Sequence, residues 1–251
     1  MTSRVAGGRF AGLGALPDGV RGRAGTTRPP ARTGKTGRGT LAAFAALAAT
    51  DLLAVAAKPR GPLRAAKPLL MPALAAHVKA RRGETPKALL AGLAFATAGD
   101  TALLFDAYEP AFLAGMAAFL GTQVSYTTGC ARDGDALRAI VRNPWPAAGC
   151  LAAWAAASAL LLPTLERRLR LPVAGYGLAL AAMGASAFAV GGKVGAGAAA
   201  FLASDLLIGL QAAGRRLPSR EAHEVLIMAG YLAGQYLIAT GWPERNEGPA
   251  S

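Results

Sequence analysis

The chain has 251 residues, 53% of them hydrophobic and only 16% charged, with two cysteines and a formal net charge of +13; its mean hydropathy is +0.34. That composition is too apolar for a soluble domain with an ordinary polar surface, and two cysteines cannot build a disulfide framework. Both classes are excluded, and a bilayer becomes the expected solvent.

Charge is concentrated at the start. Arg4, Arg9, Arg21, Arg23, Arg28, Arg32, Lys35 and Arg38 precede the first apolar run with only Asp18 against them. Residues 1–40 therefore read as a basic N-terminal arm, rich in Gly, Pro and Thr, whose composition predicts disorder. Such an arm holds its end of the chain beside anionic lipid on the cytoplasmic side, and the membrane context favours this over nucleic-acid binding. Residues 32–36, ArgThrGlyLysThr, look like the end of a phosphate-binding loop, but the first glycine of that pattern falls on Pro29 and no strand precedes it. Nor does a short apolar core with a small-residue cleavage site follow a brief basic start, so no secretory signal is read.

Beyond the arm, residues 41–243 read as one all-α transmembrane domain, a polytopic bundle of about eight helices, each near the span of a bilayer. Residues 244–251 form a short polar tail. The apolar runs place helices at 41–57, 63–78, 87–105, 110–128, 146–162, 172–190, 195–212 and 224–242. Arg64, Lys67, Pro68 and Pro72 interrupt the second, while Pro110, Pro144, Pro146, Pro163 and Pro172 mark starts and stops. The Gly- and Ala-rich stretch at 195–200 reads as close helix packing, not a nucleotide fingerprint, because no βαβ unit surrounds it. Cys130 and Cys150 are expected as free thiols near helix ends. Lys and Arg outside the arm divide almost evenly between the two faces, so the arm decides orientation: a multi-pass protein of a bacterial-type plasma membrane with both termini cytoplasmic.

Within the apolar spans the uncommon residues are Asp51, Lys67, Asp100, Gln123, Tyr126, Tyr176, Asp205, Tyr231 and Gln235. At the bilayer centre an aspartate costs about 2.5–3.5 kcal/mol on insertion scales, so one that persists there faces the bundle interior. Asp100 and Asp205, each flanked by apolar helix, are the first candidates for chemistry; the structural alternative is an ion pair with Lys67. Asp51, with Thr50 and Lys58 nearby, fits a helix end or a snorkelling group. Gln123 and Tyr126 share a helix face, as do Tyr231 and Gln235, so each pair can present donors to one cavity. A faint internal echo relates Gly99 and Asp100, followed by Gln123, to Ser204 and Asp205, followed by Gln235, as a parallel repeat would.

Histidine chemistry is poorly supplied. His77 and His223 are the only two, and there is neither a HExxH zinc motif nor a GxSxG elbow. What remains is carboxylate chemistry, in which two acids in one low-dielectric pocket divide acid and base roles.

Several segments taken together carry a resemblance. They are residues 67–72 (LysProLeuLeuMetPro), Gly99 and Asp100 with Leu103 and Leu104, residues 119–126 (PheLeuGlyThrGlnValSerTyr), Tyr176, residues 201–207 (PheLeuAlaSerAspLeuLeu) and residues 231–235 (TyrLeuAlaGlyGln). This ordered set resembles the YhhN family, which includes the lysoplasmalogenases, multi-helix integral membrane hydrolases, and it covers nearly everything after the arm. The resemblance implies hydrolysis of the vinyl ether bond of a lysoplasmalogen to a fatty aldehyde and a glycerophospho-base. Asp100 and Asp205 would be the catalytic acid and base, Lys67 with Arg64 would meet the substrate phosphate, and Gln123, Tyr126, Tyr176, Tyr231 and Gln235 would line the substrate. No cofactor, metal or nucleic acid is implied; the partners are a lipid substrate and the bilayer. Family members commonly carry histidine where this chain has Gln123, a departure that bears on any acid–base role there. Two other readings use the same residues: a small carrier or channel with the aspartates as a proton or cation relay, and a scaffold whose buried acids merely pair.

Overall fold

The computed structural model describes residues 35–243 other than 59, 106 and 218; the tail from 244 and the arm through residue 34 lie outside them. Among the described residues there are nine α-helices and no strand: α1 Lys35–Ala57, α2 Arg60–Arg82, α3 Lys87–Ala102, α4 Glu109–Asp133, α5 Ala136–Arg142, α6 Trp145–Leu161, α7 Arg167–Val190, α8 Gly192–Ala212 and α9 Arg220–Gly241, with short 3-10 turns after α3 and α6.

Eight of these are the helices expected from the apolar runs, and α5 is the addition. Its seven residues are too few to cross a bilayer. It buries Ala136 and leaves Leu137 and Val141 exposed, as a helix lying along the membrane surface would. α1 starts at Lys35, inside the segment read as arm, because Lys35–Thr40 already forms its first turns. α2 runs unbroken through Pro68 and Pro72. A proline forfeits one backbone hydrogen bond, and within a bundle neighbouring helices and local adjustments compensate the freed carbonyl.

Among the described residues five segments, Thr36–Ala57, Lys87–Phe105, Trp145–Thr164, Arg167–Val190 and Gly192–Ala212, are long and apolar enough to span a membrane. Helices α2, α4 and α9 have 23, 25 and 22 residues and the same reach, about 33–37 Å, with more polar sequences. Large apolar side chains point outward, among them Leu53, Leu151, Leu206 and Ile208, where lipid takes the place of water. The protein is thus an integral, multi-pass membrane protein.

Neighbouring helices trace a closed circuit: α1 on α2, α2 on α3, α3 on α4, α4 on α7, α7 on α8, α8 on α9, and α9 back on α1 and α2, with α6 outside, mainly against α7. The start of α1 and the end of α9 lie on one face. There Arg82 donates to the carbonyls of Thr240 and Trp242 at 3.3 and 2.7 Å, and the Trp242 indole donates to Asp133 at 3.1 Å. On the opposite face three exposed ion pairs, Lys58–Glu221, Arg168–Glu109 and Arg220–Glu224, sit at helix ends. Exposed pairs of this kind contribute little to stability.

The tightest helix contact is α8 against α9. A Cβ at Gly197 would lie 2.8 Å from the Gly234 carbonyl oxygen, and one at Gly234 would lie 2.9 Å from that of Gly197. Each glycine therefore seats the other helix's backbone, the close approach that the glycine-rich sequence of α8 foretold. Backbone cannot swing aside as a side chain can. Gly234→Ala is expected to cost about 1–3 kcal/mol by overpacking, read as a lowered unfolding temperature of the purified protein in detergent. An unchanged midpoint would contradict the contact.

Candidate functional site

Each intramembrane aspartate is held by a tyrosine. Asp100, buried on α3, accepts a hydrogen bond from the Tyr231 hydroxyl of α9 at 2.8 Å. Asp205, half-buried on α8, accepts one from the Tyr176 hydroxyl of α7 at 2.6 Å. A third hydroxyl, Tyr126 on α4, donates to Oε1 of Gln235 on α9 at 2.6 Å. Gln235 also lies beside the Tyr231 hydroxyl, and Gln123 on α4 lies beside that of Tyr176. Gln123 itself is fully buried, and neither of its amide atoms has a well-formed hydrogen bond.

The residues thus form two strands of polar contact through an apolar bundle. One runs from Asp100 through Tyr231 and Gln235 to Tyr126; the other joins Asp205, Tyr176 and Gln123. Between them stand aromatic rings: Tyr231 meets Phe119 edge-on at a centroid distance of 5.8 Å and Phe201 at 5.7 Å. Glycines on α3 make room for the α4 rings. The Tyr126 ring fills the space a side chain would take at Gly92, and the Phe119 ring does so at Gly99. Thr122 adds a hydrogen bond to the Gly92 carbonyl at 3.1 Å, so α3 and α4 are locked in the register that brings Asp100 alongside this cluster.

Four expectations need correction. The two catalytic candidates are not bonded to each other as a pair; each carboxylate takes a tyrosine hydroxyl instead. The acid whose charge bears on Asp100 is Asp51, and Lys67 is the cation whose field reaches both. Second, Asp51 is neither a helix end nor a snorkelling group. α1 continues to Ala57, Asp51 is 0% exposed, and Lys58 pairs with Glu221 instead. Third, Gln123 and Tyr126 are both buried yet serve different partners, because Tyr126 turns to α9 and Gln123 sits against α7. The partner pattern also departs from the suspected repeat, because Asp100 takes its tyrosine from α9 and Asp205 takes its own from α7.

Lys67 is half-buried on α2, and the Arg64 side chain lies outside the described residues. The histidines hold structure elsewhere. His77 meets the Thr40 hydroxyl at 3.3 Å, and His223 engages the Leu217 amide and the Leu207 carbonyl at 3.4 and 3.1 Å.

Depth can be read from helix rise, about 1.5 Å per residue. Asp51, Lys67, Asp100 and Asp205 all lie within about two turns of their helix ends at the face opposite the start of α1, whereas Gln235 and Tyr126 lie nearer the other face. The charged groups therefore lie toward one face of the bundle, and Gln235 and Tyr126 toward the other. Nearby, an open apolar groove of about 450 Å³ runs between α1 and α9, lined by Phe44, Ala48, Leu52, Leu232 and Tyr236 among others.

Fold and site together define a multi-pass membrane protein with an acid-bearing polar centre inside its helix circuit. The YhhN family model matches residues 64–242, and the chain belongs to the YhhN family. The match takes in every polar site residue named above except Asp51; the α1 side of the groove also precedes it. No curated protein and no solved structure matches the chain.

Proposed function

We propose that this protein is a lysoplasmalogenase-like ether hydrolase, cleaving the vinyl ether bond of a lysoplasmalogen to a fatty aldehyde and a glycerophospho-base. The observation that carries the reading is that Asp100 and Asp205, costly inside a bilayer, are each held by a tyrosine hydroxyl in one helix circuit. Vinyl ether hydrolysis asks for such groups. A proton goes to the outer alkene carbon, the resulting oxocarbenium ion captures water, and the hemiacetal collapses to aldehyde and alcohol. Asp100 and Asp205 divide the work of delivering the proton and of stabilising the cation and orienting water. Tyr176 and Tyr231 fix the two carboxylates, and Gln123, Gln235 and Tyr126 complete the polar lining. The hydrocarbon chain lies in the α1–α9 groove, whose lining is apolar.

Lys67 meets the phosphate as a point charge. Its level in α2 supports a headgroup drawn from the leaflet at the face opposite the start of α1, the outer leaflet if the arm holds that start in the cytoplasm. A contact made equally in ground and transition states raises KM without changing kcat when removed. Lys67→Met is therefore expected to raise KM for the phosphorylated lipid about tenfold, taking a lost charge-assisted bond as about 1.4 kcal/mol. A fall in kcat at constant KM would move Lys67 into the reacting centre.

A second reading has one observation in its favour. Hydroxyls and amides line a path from Asp100 past Tyr231 and Gln235 to Tyr126, the kind of polar lining a carrier would need. Transport needs two compartments and hydrolysis does not. Aldehyde release from lysoplasmalogen by purified protein in detergent supports the hydrolase. Its absence there, with solute-dependent proton movement in sealed vesicles, would support the carrier.

A further inference from the structure

Among the described residues, Asp51 is the one intramembrane acid whose carboxylate makes no hydrogen bond. It lies on α1, outside the stretch matched to the family, is 0% exposed, and neither carboxylate oxygen accepts a hydrogen bond. An ionised carboxylate only accepts, at up to about four lone-pair sites, and burying it unsatisfied is costly. Lys67 from α2 and Asp100 from α3 are the charged groups that face it. Lys67 is within electrostatic reach yet forms no bond to either oxygen. No ion-pair bond is formed, and both oxygens retain their capacity to accept.

The hydrolase reading, on which this step rests, supplies a ligand with a matching order of groups. Three adjacent glycerol carbons bear the vinyl ether, a free hydroxyl and the phosphate. Ether and phosphate oxygens are acceptors, and the hydroxyl between them is the donor. On the protein, Asp100, Asp51 and Lys67 come from three successive helices, all toward one face of the bundle. We propose that Asp51 accepts a hydrogen bond from the free hydroxyl of the lysolipid glycerol, with Lys67 at the neighbouring phosphate, and so selects lipids that carry that hydroxyl. Asp51 is on this account a specificity residue. A site built around a substrate hydroxyl leaves its own polar group unpaired when an analogue lacks it, which is how large discrimination arises.

The test uses the full chain in detergent and a saturated 1-alkyl lysophosphoethanolamine, which has the hydroxyl and phosphate but no vinyl ether to cleave. Two comparison lipids complete the set: the 2-deoxy analogue, and the phosphate monoester that lacks the amine. Calorimetry on the wild type is expected to show the hydroxyl lipid binding at least about tenfold tighter than its 2-deoxy analogue. In Asp51→Leu, which removes the acceptor and keeps the branched shape, that preference should vanish while binding of the 2-deoxy lipid changes less than about threefold. Asp51 is buried without a hydrogen bond, so an apolar side chain there relieves a desolvation cost, and the unfolding temperature of Asp51→Leu should hold or rise. If Asp51→Leu does not fold, Asp51→Asn takes its place, with the preference expected to fall several-fold. A preference retained in the folded variant, no preference in the wild type, or a loss that follows the amine and not the hydroxyl would each overturn the assignment. Vinyl ether cleavage is scored separately. Preference without cleavage leaves Asp51 in its role and removes the hydrolase, and cleavage without preference does the reverse.

Discussion

Asp100→Asn and Asp205→Asn are each expected to lower turnover of lysoplasmalogen by about 10²–10⁴ while the bundle stays folded, the range that general acid–base catalysis contributes. Asparagine is nearly isosteric and can still accept from Tyr231 or Tyr176, so the hydrogen bonds at 2.8 and 2.6 Å survive while proton transfer does not. Groups that act in one step are non-additive, and the double variant should be little worse than the worse single one. The measurement is initial rate in detergent with thermal unfolding recorded on the same samples. Near-normal turnover in either folded variant would remove that aspartate from the mechanism. Lost activity together with lost folding would return both acids to a structural role.

The tyrosines come next in size. A hydrogen bond to a charged group is worth about 1.5–3 kcal/mol, so Tyr231→Phe and Tyr176→Phe should each reduce kcat by roughly 10–100-fold. Phenylalanine keeps the edge-on contacts that Tyr231 makes with Phe119 and Phe201, so packing is spared and only the hold on Asp100 is lost. If the hydroxyl acts through the carboxylate, adding Tyr231→Phe to Asp100→Asn should cost little more, a coupling that a double-mutant cycle measures directly. Additive losses would mean that the tyrosine touches substrate on its own account. Unchanged kcat in both single variants would reduce the hydroxyls to packing.

Much of the helix framework was legible because each membrane helix announces itself locally. The start of α3 at Lys87 and the end of α7 at Val190 coincide with the sequence reading, since apolar runs bounded by charge or glycine need no tertiary knowledge. α5 was missed because a seven-residue surface helix has no bilayer-length signal, and α2 was weakened by prolines that the bundle tolerates. The polar residues were legible as a set, because each is anomalous in an apolar run. Their pairing was not: whether Tyr231 meets Asp100 or Asp205 depends on which helices are neighbours, and no local pattern encodes that. Asp51 was the avoidable miss. It bears the same insertion cost as Asp100 and Asp205, and the nearby Lys58 gave it an explanation that the geometry does not support, since Lys58 pairs with Glu221.

The account stands on proton delivery to carbon. Cleavage run in deuterated water by the detergent-purified protein, with the aldehyde trapped as it forms, reads that step directly. If a carboxyl group of the site protonates the outer alkene carbon, the trapped product carries one deuterium on the carbon next to the former carbonyl. Aldehyde without that deuterium, or no aldehyde at all, would contradict it.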